Sequence, residues 1–132
     1  MKIVIETIPH AEQRYNTVGD YWMGPDGTIQ VRVSQLGAES MEFLVALHEL
    51  VELQLCRHRN IPWAAIDEFD MNWQPGGGVE EPGDDMMAPY FAEHQAAMGI
   101  ETTMSAFMGV NWVEYGRRVA ALTDTPEVKD GQ

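Results

Sequence analysis

The first third of the chain follows the two-residue hydrophobic period of β-strands. Residues 2–7 are rich in β-branched side chains, which is typical of a strand. Residues 20–24 and 28–34 flank a turn at Gly24-Pro25-Asp26-Gly27, and apolar side chains occupy every second position of the second arm. This pattern predicts a β-hairpin which, with the N-terminal strand, forms a small antiparallel sheet.

The rest of the chain changes to helical periodicity. Residues 74–88 hold four glycines and two prolines, so this segment is predicted to be irregular. Asn111 is expected to cap the last helix. The predicted helices are 39–59, 62–73, 89–108 and 111–122. Strands followed by helices indicate an α+β fold, with the small sheet packed on three or four helices.

The length of 132 residues suits one domain that buries its own core. We expect a single α+β domain over 1–123. Residues 124–132 are polar and contain a proline and a glycine, so a flexible tail is expected there.

The formal net charge is −13, from 21 acidic and 8 basic residues. Coulomb repulsion makes direct binding to a nucleic-acid backbone unfavourable, so no nucleic-acid partner is expected. Two interpretations of the charge stay open: an acidic surface that only keeps the protein soluble, or an acidic mimic of nucleic acid that blocks a DNA-binding protein. The sequence does not define the oligomeric state.

Cysteine and hydrophobic content bear on the compartment. Cys56 is the only cysteine, which excludes an intramolecular disulfide and fits a reducing environment. No apolar run reaches the length of a membrane span, and residues 1–10 have too short an apolar run for a secretory signal. We therefore expect a cytoplasmic protein with no membrane partner.

The stretch "ALHELVELQL" at residues 46–55 places titratable groups inside an otherwise apolar helix. At 100° per residue, His48 and Glu52 fall at the centre of the apolar arc, within about 40° of each other, and Glu49 lies at its edge. A buried carboxylate needs a partner, and this helix has no lysine or arginine before Arg57, which projects to the other side. A bound dication would compensate. The alternative is a hydrogen-bonded core histidine with glutamates at the rim.

The same residues resemble the H-E-x-x-H motif of zincin metallopeptidases, here written H-E-L-V-E with Glu52 in place of the second histidine. The resemblance covers residues 28–59, because a strand-like segment precedes the motif helix as it does in zincins. It implies that His48 and Glu52 bind the metal and that Glu49 is the general base of a zincin-like hydrolase. Zinc is the expected metal, although a carboxylate ligand also suits iron or manganese.

A third ligand is expected on the helix 89–108. Tyr90, His94 and Glu101 fall within about 40° on its core-facing side. His94 is the predicted third ligand, and Glu101 is predicted either to orient an imidazole or to act as an alternative ligand. Tyr90 is assigned to stabilising an oxyanion in catalysis. The alternative is a polar seam that satisfies its own hydrogen bonds.

Other residues that could bind a metal are expected to have other roles. His58 lies far along the first helix and His10 follows Pro9 in a loop, so both are expected at the surface. Asp67 and Asp70 could substitute as ligands, but solvated or helix-capping roles are favoured. Asp84 and Asp85 could form a rim that attracts cations, but a loop acid is usually only solvated, and that role is favoured.

The whole chain, through "ALHELVE", "EPGDDMMAPY" and "EHQAAMGIE", also resembles a group of small proteins of unassigned activity encoded by phages and prophages. The resemblance implies a phage origin, which would place the protein in the host cytoplasm, and gives no mechanism. Two functions follow as hypotheses: a metallopeptidase-like hydrolase acting on a peptide or protein, or an acidic phage accessory protein that binds a host protein and carries a structural or vestigial metal site.

Overall fold

The computed structural model describes residues 1–124 and has the predicted α+β architecture. Three strands come first, followed by four helices. The strands are β1 (Ile3–Ile8), β2 (Gly19–Met23) and β3 (Ile29–Ser34), and the α-helices are α1 (Glu39–His58), α2 (Trp63–Asn72), α3 (Phe91–Met108) and α4 (Trp112–Thr123). Short 3₁₀ turns lie at His10–Glu12 and Pro82–Asp84.

The sheet is mixed, with strand order β1-β3-β2. β2 and β3 form the predicted antiparallel hairpin, and Gly27 adopts the left-handed φ of 82° in its turn. β1, however, pairs with β3 in parallel, with Ile3 opposite Ile29. The expectation of an entirely antiparallel sheet was therefore wrong for β1. The hairpin turn sets only β2 against β3, and β3 lies between the other two strands, so β1 runs antiparallel to β2 without pairing with it.

β3 and α1 provide the centre of the core. Ile29, Val31 and Val33 are at most 1% exposed, and Leu44 and Leu53 of α1 are fully buried. α1 packs against β2 and β3 and, more extensively, against α3. The central position of α1 places its polar residues inside the molecule rather than at the surface.

The boundaries of α1 and α4 have different causes. α1 begins after Ala38, whose side chain makes no capping hydrogen bond, while Glu42 accepts from the backbone N–H of Leu36 in the preceding loop. Asn111 caps α4 as predicted, because its side chain accepts from the N–H of Glu114.

The predicted tail from 125 onward lies outside the described residues. None of the helices within residues 1–124 is long and apolar enough to cross a membrane.

Candidate metal site

α1 presents His48 and Glu52 to the interior, as the helical period predicts. They continue a buried stripe whose other members are Met41, Leu44, Val45, Leu53 and Cys56. His48 is 7% exposed and Glu52 4%, so both polar side chains are nearly removed from water. Because they lie one helical turn apart on the same face, the His48 Nε2 and Glu52 Oε2 atoms are only 3.0 Å apart.

α3 packs against this face of α1 and adds His94 and Glu101, which are also buried. The two imidazole rings of His48 and His94 meet edge to face, with centroids 4.6 Å apart. The helical period had placed His94 and Glu101 on one face of α3, and the packing of α3 on α1 brings that face to His48.

Three donor atoms converge in the space between the helices. His48 Nε2 lies 3.1 Å from His94 Nδ1, and Glu52 Oε2 lies 3.0 Å from each of these nitrogens. An atom equidistant from all three in their plane would be about 1.8 Å from each, so an ion at the 2.0–2.2 Å that zinc prefers would sit about 1 Å above the plane. His48, Glu52 and His94 thus form a buried group that could bind a metal ion.

Each of the three side chains also has a polar group on its far side. His48 Nδ1 is 2.7 Å from Glu101 Oε1, and the Tyr21 hydroxyl donates to Glu52 Oε1 at 2.8 Å. His94 Nε2 faces Asp84 Oδ1 at 3.3 Å. A carboxylate behind a histidine and a donor behind a carboxylate are the partners that orient metal ligands in proteins.

The electrostatics of this group raise the pKa values of both histidines. Burial alone would lower the pKa of His48, but hydrogen bonds to Glu101 and Glu52 raise it to about 11. The pKa of His94 is also raised, against the effect of burial, by its contact with Glu52. Burial would raise the pKa of Glu52, but the bonds from both histidines lower it to about 2. Two N–H groups then point at one carboxylate oxygen, where a single dication would replace both protons.

Glu49 lies beside this group and does not hydrogen-bond within it. Burial and the negative charge of Glu52 raise the pKa of Glu49 well above its ordinary value. Its carboxyl packs directly against Gly19, where a Cβ atom would overlap Glu49 Oε1. The structure therefore separates the two glutamates: Glu52 joins the histidines, and Glu49 stands next to them.

Tyr90 is buried on the expected face of α3, but its hydroxyl points elsewhere. It donates to Asp70 Oδ1, and Tyr15 donates to Asp70 Oδ2 at 3.1 Å. Asp70 was expected to be solvated or to cap a helix; it instead accepts two phenol hydrogen bonds, and burial raises its pKa to about 7. Only the ring of Tyr90 approaches the site, with its centroid 6.5 Å from that of His94.

The remaining candidates lie apart from the site. His58 is exposed at the end of α1, and Asp67 forms an ion pair with Arg14. His10 is half-buried rather than at the surface, and it hydrogen-bonds Ser34 and Asn16. Cys56 is 1% exposed and contacts the Tyr21 hydroxyl, so it is a small residue of the core.

Sequence reasoning missed Tyr21 and Glu81. Tyr21 pairs with Val31 across the hairpin, so the two side chains share the face that covers α1. That signal was present in the strand alternation. Glu81 Oε2 lies 3.6 Å from His94 Nε2. Glu81 belongs to an irregular segment, so no local pattern in the sequence indicates this contact.

Comparisons of the chain with protein-family models, with curated proteins and with solved structures found no match. The functional interpretation therefore depends on the geometry of the site.

Proposed function

We propose that this protein binds a divalent metal ion, zinc by preference, through His48 Nε2, Glu52 Oε2 and His94 Nδ1. The observation that carries the proposal is the triangle of three donor atoms, each within 3.1 Å of the others, on side chains that are all less than 10% exposed. Two imidazoles and a carboxylate are a ligand set found in catalytic zinc sites, where a fourth position stays open.

We further propose that the protein is a metal-dependent hydrolase of the zincin-like kind. The bound ion would lower the pKa of a water molecule toward neutrality. Glu49 is suited to accept the proton, since a carboxyl with a raised pKa holds a proton more firmly than an exposed one. Its place beside the three ligands, without a hydrogen bond to any of them, leaves it free for this role.

A peptide or protein is the proposed substrate. Residues 81–85 cover the site, and Gly83 packs so closely on His94 that a Cβ there would overlap Nδ1. Substrate entry requires this segment to move aside. Met86 and Met87, each 81% exposed, follow it directly and offer apolar contacts to a peptide side chain.

A second function is favoured by the same packing of Gly83 on His94. If Gly83 stays on His94, the metal is structural, and the protein acts as an acidic accessory protein that binds another protein. The net charge of −13 supports a partner with a basic surface.

The two functions are separated by a matched pair of variants, Glu49→Gln and Glu52→Gln. Zinc content after chelation and reloading, and cleavage of a mixed-sequence library of quenched fluorescent peptides, are measured for both. For a hydrolase, Glu49→Gln keeps zinc and loses cleavage, whereas Glu52→Gln loses the zinc bound at the triangle of His48, Glu52 and His94. Zinc binding by the wild type without cleavage of any peptide supports the structural role.

The metal proposal itself has a direct control on the same helix. His48→Ala should abolish zinc binding at the triangle of His48, Glu52 and His94, and His58→Ala, at an exposed position of α1, should not. An unchanged number of bound zinc ions in His48→Ala would show that none of them binds at this triangle.

A further inference from the structure

The imidazole of His94 has two nitrogens in different surroundings. Nδ1 faces His48 and Glu52, whereas Nε2 points away from them toward the segment that covers the site. Nε2 is buried and makes no hydrogen bond in the structure. Asp84 Oδ1 lies 3.3 Å from it and Glu81 Oε2 3.6 Å, distances that bring charge together without hydrogen-bond geometry.

The acids around the two histidines exceed what one dication can balance. Five carboxyl groups lie there, those of Glu49, Glu52, Glu81, Asp84 and Glu101. Within residues 1–124 their ion pairs involve only His48 and His94, and none reaches a lysine or arginine. One divalent ion at the inner triangle would leave two carboxylates, Glu81 and Asp84, on the outer side of His94 with no lysine or arginine paired to them within residues 1–124.

We propose that a second divalent cation binds on this outer side, held by His94 Nε2, Glu81 and Asp84. Their ligand atoms lie within 4.8 Å of one another, so a small movement of two side chains closes them on an ion. The Glu81 and Asp84 side chains are 43% and 41% exposed, and water can complete the coordination sphere. Asp84 Oδ1 also accepts from Gln95 at 3.0 Å, which holds that carboxylate in place.

The outer site depends on the proposed inner site only in sharing His94. With both ions bound, the imidazole bridges them through its two nitrogens, and the Nε2 proton passes to solvent. With the inner ion alone, Nε2 keeps its proton and directs it at Asp84 and Glu81. The outer carboxylates therefore have a role in either state, but only the second ion uses all three ligand atoms at once.

Equilibrium dialysis of chelator-treated protein against Zn²⁺ tests the proposal through the number of ions bound. The wild type should bind two, and the double variant Glu81→Gln/Asp84→Asn should bind one. Glu80→Gln changes a neighbouring exposed acid and should still bind two. His48→Ala should retain the outer ion alone, and His94→Ala should bind none. Far-UV circular dichroism verifies that each variant is folded.

The outcomes separate the two sites. A wild type that binds one ion, lost in His48→Ala and kept in the double variant, would overturn the outer site and leave the inner one standing. One ion that is lost in the double variant and kept in His48→Ala would support the outer site and overturn the inner one. Two ions in the double variant would place the second ion elsewhere and refute the proposal.

Discussion

The His48 Nδ1 and Glu101 Oε1 atoms, on helices joined only through a long intervening segment, lie 2.7 Å apart in the buried space between α1 and α3. Burial and the nearby Glu101 carboxylate raise the pKa of Tyr115 of α4, so Glu101 also faces a third helix. Because Nδ1 is engaged by Glu101, the Nε2 atom of His48 is left as the one that faces Glu52 and His94. The Glu101 carboxylate thus selects which nitrogen of His48 is presented to a metal.

Glu101→Gln should therefore weaken zinc binding without removing a ligand. A glutamine still hydrogen-bonds but does not carry the charge that supports a metal-bound imidazole, and loss of such a partner typically lowers metal affinity roughly 10- to 100-fold. Competition with a chromogenic chelator measures the change. Glu93→Gln is the matched control, because Glu93 is a buried glutamate of α3 that pairs with Arg59 outside the site. Equal affinities in both variants would contradict the assigned role.

Metal binding should release protons. Hydrogen bonds to Glu101 and Glu52 outweigh burial and raise the pKa of His48 to about 11, so His48 carries a proton at neutral pH that a metal must displace. The pKa of His94 is also raised, which favours a second proton. Each proton released makes the apparent affinity rise by about tenfold per pH unit below the pKa concerned. Titration calorimetry in two buffers of different ionisation enthalpy should give between one and two protons per inner-site ion. A heat that does not depend on the buffer would mean that His48 is neutral before the metal binds.

The inward positions of the site were predictable because they follow from one helix at a time. The 3.6-residue period alone places His48 and Glu52 on one face of α1, and His94 and Glu101 on one face of α3. It cannot specify that those faces meet. The parallel pairing of β1 could not be predicted for the same reason. Ile3 pairs with Ile29, and no local sequence pattern encodes a contact between these two segments.

The helical period could not predict where the hydroxyl of Tyr90 points. Tyr90 shares its face with His94, as expected, but it is the N-terminal cap of α3. Its long side chain reaches Asp70 of α2 instead of the proposed metal ligands. Glu81 and Asp84 belong to an irregular segment that has no repeating hydrophobic pattern, so the sequence could not predict their positions. Their position near His94 depends on Gly83, which allows the backbone to lie on the imidazole ring.

Gly83→Ala tests that close approach. A Cβ at residue 83 would overlap Nδ1, Cγ and Cε1 of His94, so either the segment lifts away or the imidazole turns. Both responses disturb Nδ1, and zinc affinity should fall. Gly99→Ala is the control, because Gly99 is exposed on α3 with no heavy atom within 4 Å of the added Cβ. That variant should keep zinc and gain about 0.5–1 kcal/mol of stability from the better helix former. Unchanged zinc affinity in Gly83→Ala would show that the segment does not rest on the ligand.

Asp70 should make the metal-free protein less stable as the pH rises toward neutrality. Burial raises the pKa of its carboxyl from 3.8 to about 7, so between these values the folded state holds a proton that the unfolded chain has lost. The free energy of unfolding should therefore decline from about pH 4 to about pH 7, by at most about 4 kcal/mol, and the residual exposure of Asp70 reduces this figure. Asp70→Asn removes the ionisation while its amide can still bond Tyr15 and Tyr90, so the decline should shrink. Urea unfolding in the presence of chelator at several pH values measures it, with Asp67→Asn on the same helix as the control that keeps the decline. An equally steep decline in Asp70→Asn would assign the pH dependence to another group.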